Sequence, residues 1–553
     1  MKTCPKCGHE YDDSMSFCLD DGAKLLEGPA FADEPATAIL PGSGVQASRQ
    51  PVAIEKAAST KSFDRRLLFA PLVLVVIVLV GFTAYRYLRS TGDEQIRSIA
   101  VLPFENRSGS ADTDYLSEGL ADSLIYRLSQ LPDFKVSPTT SVMRYKGKEN
   151  EPGKVAGELG VDAVMTGRLA QIGDDLNISV QLIDARTEKL IWAEQYDRKM
   201  SDLLATQREI ATAITQKLQL KLSKDESGIT RKYTDSNEAY QHYLRGRFYW
   251  NKRTGENLRR AIEQFQAAAD KDPNYALAYV GLADCYVLLP FYGTTLSQEV
   301  LTNAKAYANR ALEIDPSLGE AHASLAYTNY MLWNWAEAEP GFKRAIELSP
   351  NYATGHKWYG NFLEDSGRLE ESLQEFKKAQ ELDPLSLIIA ENLAEQYILL
   401  GDLDSAYAQC TKVIELDPNF AGISRALSLI HFRQGRNAEA LAEAQKGVQL
   451  SNRWSQLLAN LGFIHARTGN RNEALNLIKE LEGLYSQKRA NGHDVAAVYA
   501  GLADKDNAFG WLERDFQNRT STMAAWVGFI HFESLRDDPR MADLRRRMGL
   551  PPL

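Results

Sequence analysis

Cysteine is scarce: the 553-residue chain holds five, three of them within the first 18 residues. A disulfide scaffold is thereby excluded, and the early three invite a test for a local metal site. Positive charge is not in surplus. The 63 basic side chains face 73 acidic ones, a formal charge of −10, so the chain as a whole has no electrostatic drive toward nucleic acid or anionic lipid. A mean hydropathy of −0.34 excludes a polytopic membrane protein. No phosphate-loop pattern G-x-x-x-x-G-K-[ST] and no H-E-x-x-H occurs, and Gly109, Gly119 and Gly167 are too scattered to cradle a phosphate. What is present is globular in kind, with 44% apolar and 25% charged residues.

One long apolar run interrupts this composition. Residues 67–85, LLFAPLVLVVIVLVGFTAY, are 19 residues without a charge. At 1.5 Å per residue they make about 28 Å of helix, close to the hydrocarbon core of a bilayer. The run predicts a single transmembrane helix. Lys56, Lys61, Arg65 and Arg66 before it slightly outnumber Arg86, Arg89 and Arg97 after it, which favours a cytoplasmic N-terminus. The expected location is a bacterial inner (cytoplasmic) membrane, single-pass, with the C-terminal domains periplasmic or otherwise extracytoplasmic.

The early cysteines stand in CPKCGHEYDDSMSFCLDDG. Cys4 and Cys7 form a Cys-x-x-Cys knuckle, and Gly8 allows the tight turn beneath a metal. Cys18 follows, and Asp21 stands where a fourth cysteine would complete the set. Zinc takes four ligands in a tetrahedron and accepts carboxylate oxygen. The candidate ligands are Cys4, Cys7, Cys18 and Asp21, with His9 or Asp20 as alternatives to the last. The segment resembles the short zinc ribbons at the N-termini of many bacterial membrane proteins, which implies a bound Zn2+. Residues 1–26 cannot bury a core alone, so metal would supply their folding free energy. Lys2, Lys6 and Lys24 are opposed by Glu10, Asp12, Asp13, Asp20 and Asp21, so no nucleic acid is expected as a partner. Residues 27–66, with Pro29, Pro35, Pro41 and Pro51 among Ala, Ser and Gly, read as a disordered linker.

Beyond the run, 98–104 (SIAVLPF) reads as a short strand. Leu116, Leu120, Leu124 and Leu128 follow at helical spacing. A short strand at 134–137 and a short helix closed at Gly160 come next. Three strand-like stretches occupy 163–172, 176–184 and 189–196, joined by hairpin turns, and a helix covers 201–222. Asp112, Asp114, Glu118 and Asp122 gather near the first helix start, where its dipole favours acids without any metal. The pieces IAVLPFENRSG, YLSEGLADSLIYRLSQL and ELGVDAVMTGRLAQIGDDLNISVQLIDARTEKLIWAEQYDR resemble the TolB N-terminal-like (FlgO-like) domain over residues 95–222. That resemblance implies an α/β module acting in protein interaction or assembly, without catalysis.

Pro273, Pro316, Pro350, Pro384 and Pro418 close similar runs at spacings of 43, 34, 34 and 34. A period of 34 is that of the tetratricopeptide repeat, two helices per unit. Twelve residues before these positions stand Ala261, Ala304, Ala338, Ser372 and Ala406, continued by Ala440 and Ala474. Such small residues let paired helices approach closely. The array is expected over 236–517, with 518–553 as a capping segment. His322 and His356, like His431 and His465, lie 34 apart and read as packing residues. Cys285 and Cys410 read as small buried hydrophobes. Trp333 and Trp335 are equally placed to anchor a partner or to pack against the next repeat.

The expected fold class is therefore multidomain: a zinc ribbon (1–26), a linker (27–66), a single transmembrane helix (67–85), a small α/β domain (95–222), and an all-α tetratricopeptide superhelical solenoid (236–517) with its cap (518–553). No catalytic residue is predicted. The repeat register places Asp284, Tyr327, Lys357, Asn361, Glu391, Glu395 and Arg425 on the inner face, as candidates for binding a protein or peptide partner. The function expected is a non-catalytic membrane-anchored scaffold, with self-association left open. The alternative is a transducer that couples external partner binding to a cytoplasmic kinase or transcription regulator through the zinc ribbon.

Overall fold

The computed structural model describes residues 2–3, 10–11, 26–27 and 96–551, apart from 132, 149, 219, 221–230 and 293–297. The chain divides into two units, 1–92 and 93–553. In the first, strand β1 (Lys2–Thr3) pairs antiparallel with β2 (Glu10–Tyr11) and with β3 (Leu26–Glu27). Cys4, Cys7, Cys18 and Asp21, and the apolar run 67–85, lie outside the described residues.

The expected fold class and location are corrected. Among the described residues no helix is long and apolar enough to cross a membrane, which overturns the single-pass architecture and the inner-membrane placement built on it. The physical reason lies in helix length and patterning. The most apolar helix among the described residues, ALAYVGLADCYVLLPFY, has 17 residues and carries Asp284, short of the roughly 20 apolar residues a span needs.

The second unit opens with a six-stranded sheet. Strand β4 (Ser98–Val101) is completely apolar after its first residue, and Ile99, Ala100 and Val101 are fully buried, as suits a strand covered on both faces. β5 (Glu105–Asn106) follows. Helix α1 (Asp114–Ser129) lays Leu116, Leu120, Leu124 and Leu128 into the core. β6 (Lys135–Val136), α2 (Thr139–Val142) and α3 (Pro152–Leu159) come next, and Gly160 closes α3 in the left-handed conformation at φ 61°. β7 (Ala163–Ile172), β8 (Asp175–Asp184) and β9 (Lys189–Lys199) form an antiparallel meander. The sheet order is β6-β4-β7-β8-β9, with β4 parallel to both neighbours and β5 added along the far end of β7. Gly167 of β7 is required by contact: a Cβ there would meet the Phe104 ring at 2.8 Å. Helix α4 (Leu203–Lys217) closes this part.

Among the described residues, eight antiparallel helix pairs follow as a solenoid: α5 (Asn237–Asn251) with α6 (Gly255–Lys271), α7 (Ala276–Tyr292) with α8 (Gln298–Ile314), α9 (Gly319–Met331) with α10 (Trp335–Leu348), α11 (Ala353–Asp365) with α12 (Leu369–Leu382), α13 (Leu387–Leu400) with α14 (Leu403–Leu416), α15 (Ala421–Arg433) with α16 (Asn437–Leu450), α17 (Ser455–Arg467) with α18 (Arg471–Ser486), and α19 (Gly492–Gly501) with α20 (Lys505–Gln517). Ala261, Ala304, Ala338, Ser372, Ala406, Ala440, Ala474 and Ala508 are all fully buried on the second helices, where one repeat position meets its partner helix. The turns inside the repeats share one geometry. Trp333, Gly367, Gly401, Gly435, Gly469 and Ala503, 34 residues apart, all take positive φ between 60° and 86°. Helices α21 (Met523–Val527) and α22 (Pro539–Met548), with a 3-10 turn between them at Ile530–Leu535, form the C-terminal segment.

Candidate functional site: the inner face of the repeat array

A tetratricopeptide solenoid offers the first helices of its repeats as a continuous inner surface. Here much of that surface is engaged by the chain itself, from both ends.

The α/β domain seats on the first four repeats. Helix α1 runs against α5 so closely that a Cβ on Gly119 would lie 2.9 Å from Leu244 Cβ. Arg247 donates to both carboxylate oxygens of Asp122 at 2.8 and 3.1 Å, and Ser123 Oγ lies 2.7 Å from Tyr240 Oη. Burial alone would raise the Asp122 carboxyl, but the Arg247 guanidinium outweighs it and holds the group below its ordinary range. Further along, Asn351 Nδ2 donates to the Leu131 and Phe134 carbonyls at 3.1 and 3.3 Å. Asp383, ahead of α13, accepts from Thr140 at 2.6 Å and from Ser141. Asp315 pairs with Arg231 at 2.8 Å. The acidic Asp122 thus belongs to an ion pair between the two parts of the unit.

The C-terminal segment covers the other end. Past α20 it turns back along α17 and α15 to the end of α11. His531 Nε2 lies 3.1 Å from Asn460 Oδ1 on α17, and its ring packs edge-on against Phe463 at 4.7 Å. Phe529 lies under the Arg425 guanidinium at 5.7 Å, and Arg433 pairs with Glu533. The buried Arg545 donates to the Asp365 carbonyl at 3.3 Å. Trp335 Nε1 donates to the Met548 carbonyl at 2.8 Å, while Trp333 stacks on Phe516 at 5.8 Å. Both tryptophans are therefore packing residues held by their own chain.

The seven inner-face candidates separate into three groups. Asp284 on α7 is buried and accepts from Ser324 Oγ, and burial pushes its carboxyl up to about 6. Tyr327 on α9 is buried and stacks on Trp358 at 4.6 Å. These two are engaged with neighbouring repeats. Glu391, Glu395 and Arg425 are brought together: the Arg425 guanidinium lies 2.5 Å from Glu395 and 3.6 Å from Glu391. Burial raises both carboxyls, and Glu395 raises Glu391 further, against the pull of Arg425. Lys357 and Asn361 are half-buried on α11. Burial, then the Arg253 charge, pushes the Lys357 amine down to about 8, with Glu391 opposing. α11 begins at the α/β seam, where Ala353 and Thr354 stand, and ends at Asp365 under Arg545. Lys357 and Asn361 therefore sit between the two covered stretches.

The histidines follow the register. His322 and His356 each place Nε2 3.0 Å from the carbonyl of the proline six residues earlier, Pro316 and Pro350. His493 and Asp515, buried between α19 and α20, lie 2.6 Å apart. Cys285 and Cys410 are free thiols buried in the helix packing. Among the described residues no group of three or more His, Cys, Asp and Glu could hold a metal ion. The self-engagement of the inner face is what the sequence reading missed. Its one signal was the density of Phe, His, Met and Arg in HFESLRDDPRMADLRRRM, unusual for a polar cap.

Comparison with known proteins divides at the same seam. Residues 94–217 match the family described as HilA/YgeH-like transcriptional regulator, second domain, and 250–319, 332–386 and 392–452 match the tetratricopeptide repeat. A protein of Rhizobium meliloti (strain 1021) named "Putative adenylate cyclase 3" is 32% identical over 249 residues, 44% of this chain and 42% of that protein. The transcriptional regulator HilA of Salmonella typhimurium is 25% identical over 294 residues, 52% of this chain and 51% of HilA. The chain spans about half the length of the curated relatives it matches. Among solved structures, PilF of Pseudomonas aeruginosa is 22% identical over 39% of this chain and 93% of its own, with a TM-score of 0.32. The pilus biogenesis factor PilW is 21% identical over 38% and 94%, with a TM-score of 0.33.

Proposed function

We propose that the chain is a non-catalytic interaction scaffold that takes a protein or peptide partner on the stretch of inner face around Lys357, Asn361 and Glu391. Tetratricopeptide repeats serve protein–protein interaction, and the matched repeats supply that general part. The observation that carries the finer part is the position of Lys357 and Asn361 on α11, between the α/β seam at its start and the C-terminal segment at its end. An ammonium and an amide facing a neighbouring carboxylate suit the backbone and side chains of an extended peptide. The test is a photo-crosslinking residue at Asn361 of the full chain in native cells. A discrete adduct with a second protein, weakened by Lys357→Glu, is expected. Adducts unaffected by that change, or none, would remove the reading.

The names of the relatives, a transcriptional regulator and an adenylate cyclase, favour a second reading in which partner binding is relayed to a regulator through residues 1–26. Deleting residues 1–60 separates the two: the scaffold keeps its output, the relay loses it. We also propose that Cys4, Cys7, Cys18 and Asp21 hold one Zn2+, on the strength of their spacing. Metal analysis of the purified chain should find about one zinc per chain, lost when Cys4 and Cys18 are both changed to Ser.

A further inference from the structure

A cavity of about 130 Å³ lies where the α/β domain meets the inner face of the first repeats. One wall is α1 and the segment leading into α2, with Asp122, Tyr126 and Thr139; the other is built by α5 and α7, with Trp250, Arg247 and Asp284. Glu320, at the start of α9, completes it. The enclosed charges do not balance. Asp122 and Arg247 satisfy each other. Arg253 stands over the Trp250 ring at 3.5 Å. Against that one remaining cation stand Asp284, Glu320 and Asp383, whose partners are hydroxyls and an amide rather than positive charges.

Three polar side-chain atoms on this lining, Tyr126 Oη, Glu320 Oε2 and Trp250 Nε1, have no hydrogen-bond partner, and the last two belong to the more deeply buried residues. Glu320 is 7% exposed and Trp250 is 6% exposed, yet Glu320 Oε2 accepts nothing and Trp250 Nε1 donates to nothing. Gln130 Nε2 reaches the other oxygen of Glu320, at 3.3 Å. Leaving such groups unmade costs about 1–3 kcal/mol each, more when charged. Together they define a complement: a donor, preferably cationic, for Glu320 Oε2, and an acceptor for the indole N–H. Burial raises the Asp284 and Glu320 carboxyls, as expected of acids held without a counter-cation. The volume is close to the roughly 150 Å³ that admits a benzene-sized molecule.

We propose that this cavity is a binding site for a small amine that also carries a hydrogen-bond acceptor, with about six non-hydrogen atoms. The ammonium sits against Glu320 Oε2 and Asp284, and the acceptor takes the Trp250 N–H. Because the walls come from both the α/β domain and the repeats, the ligand binds only while the two are seated together. Binding would then favour the seated arrangement by mass action.

Three probes of equal size separate the contributions: 4-aminobutan-1-ol has both groups, pentylamine lacks the acceptor, and 1,4-butanediol lacks the charge. Calorimetric titration of the full chain should show the amino alcohol binding at least ten-fold more tightly than the diol and several-fold more tightly than pentylamine. Glu320→Gln, which keeps the bond to Gln130, should lose at least ten-fold in affinity for the amino alcohol. Asp284→Asn, which keeps the Ser324 contact, should lose several-fold. Trp250→Phe should make the amino alcohol and pentylamine equal. No heat from the amino alcohol at 10 mM, equal binding of the diol, or undiminished binding to a folded Glu320→Gln variant would each overturn the proposal. Failure of crosslinking at Asn361 would leave it untouched, since that residue does not line the cavity.

Discussion

At position 503 an alanine stands where four earlier repeats carry glycine, and its backbone is held at φ 60°. A left-handed L-residue costs about 1–2 kcal/mol, so Ala503→Gly should stabilise the fold by about 1 kcal/mol, read from the urea midpoint. Trp333 occupies the same turn position at φ 63° but behaves oppositely. Its ring stacks on Phe516 and lies under Arg519 at 5.4 Å, so Trp333→Gly should cost about 2–4 kcal/mol despite the relief of strain. A third residue gives a pH signature. His531 is completely buried, and burial, helped by the Arg425 charge, pushes its imidazole down to about 3. The unfolded chain takes up that proton near pH 6.5 while the folded one refuses it until about pH 3. Stability from this group is full above 6.5 and falls with pH below it. At pH 5 the loss is about 2 kcal/mol. The advantage of the wild type over His531→Gln should therefore shrink by about 2 kcal/mol between pH 7.5 and pH 5, measured by urea denaturation at each pH.

Between elements, the tightest contact of the α/β domain with the array is α1 against α5. Ala at position 119 would place its Cβ 2.9 Å from Leu244 Cβ, and neither helix can yield locally. Gly119→Ala should cost about 1–3 kcal/mol, and hydrogen exchange should rise in α1 and α5 but not in α15 to α18. The same contrast marks what could be read in advance. The repeat period is a local pattern: Ala338, Ser372 and Ala406 recur every 34 residues because each meets the helix next to it in sequence. Strand β4 was legible for a similar reason, since a short run of Ile, Ala and Val closed by Pro103 suits a strand covered on both faces. The engagement of the inner face left no such trace. Asp122 with Arg247, Asn351 with Leu131, and Arg545 with Asp365 join positions with no shared period. Register alone placed Asp284 and Tyr327 on the inner face, and it could not show that Asp284 accepts from Ser324 or that Tyr327 stacks on Trp358. Residues 1–92 were read by local motif, and there the described residues test only short strand pairings.

For the whole molecule, the array is closed on itself from two directions, and the two closures differ in kind. The α/β seam is an extended set of ion pairs and hydrogen bonds along several repeats. The C-terminal segment is held mainly by apolar side chains: Phe529, Ile530, Phe532, Leu535, Met541, Leu544 and Met548 are all buried. Such a segment can open without unfolding the repeats beneath it, because those repeats keep their own helix-to-helix packing. Phe529→Ala removes a ring that is 6% exposed and lies under Arg425, a change of the kind that costs about 3–5 kcal/mol in a core. Exchange protection should then drop across 523–550 while α11 to α14 keep theirs. Arg425 would lose its cover, and the stretch around Asn361 would lengthen toward α15. If the C-terminal segment limits access to the inner face, crosslinking from Asn361 to a second protein should increase in the Phe529→Ala chain. Unchanged crosslinking with clearly lowered protection would mean that the segment stabilises the array without guarding it.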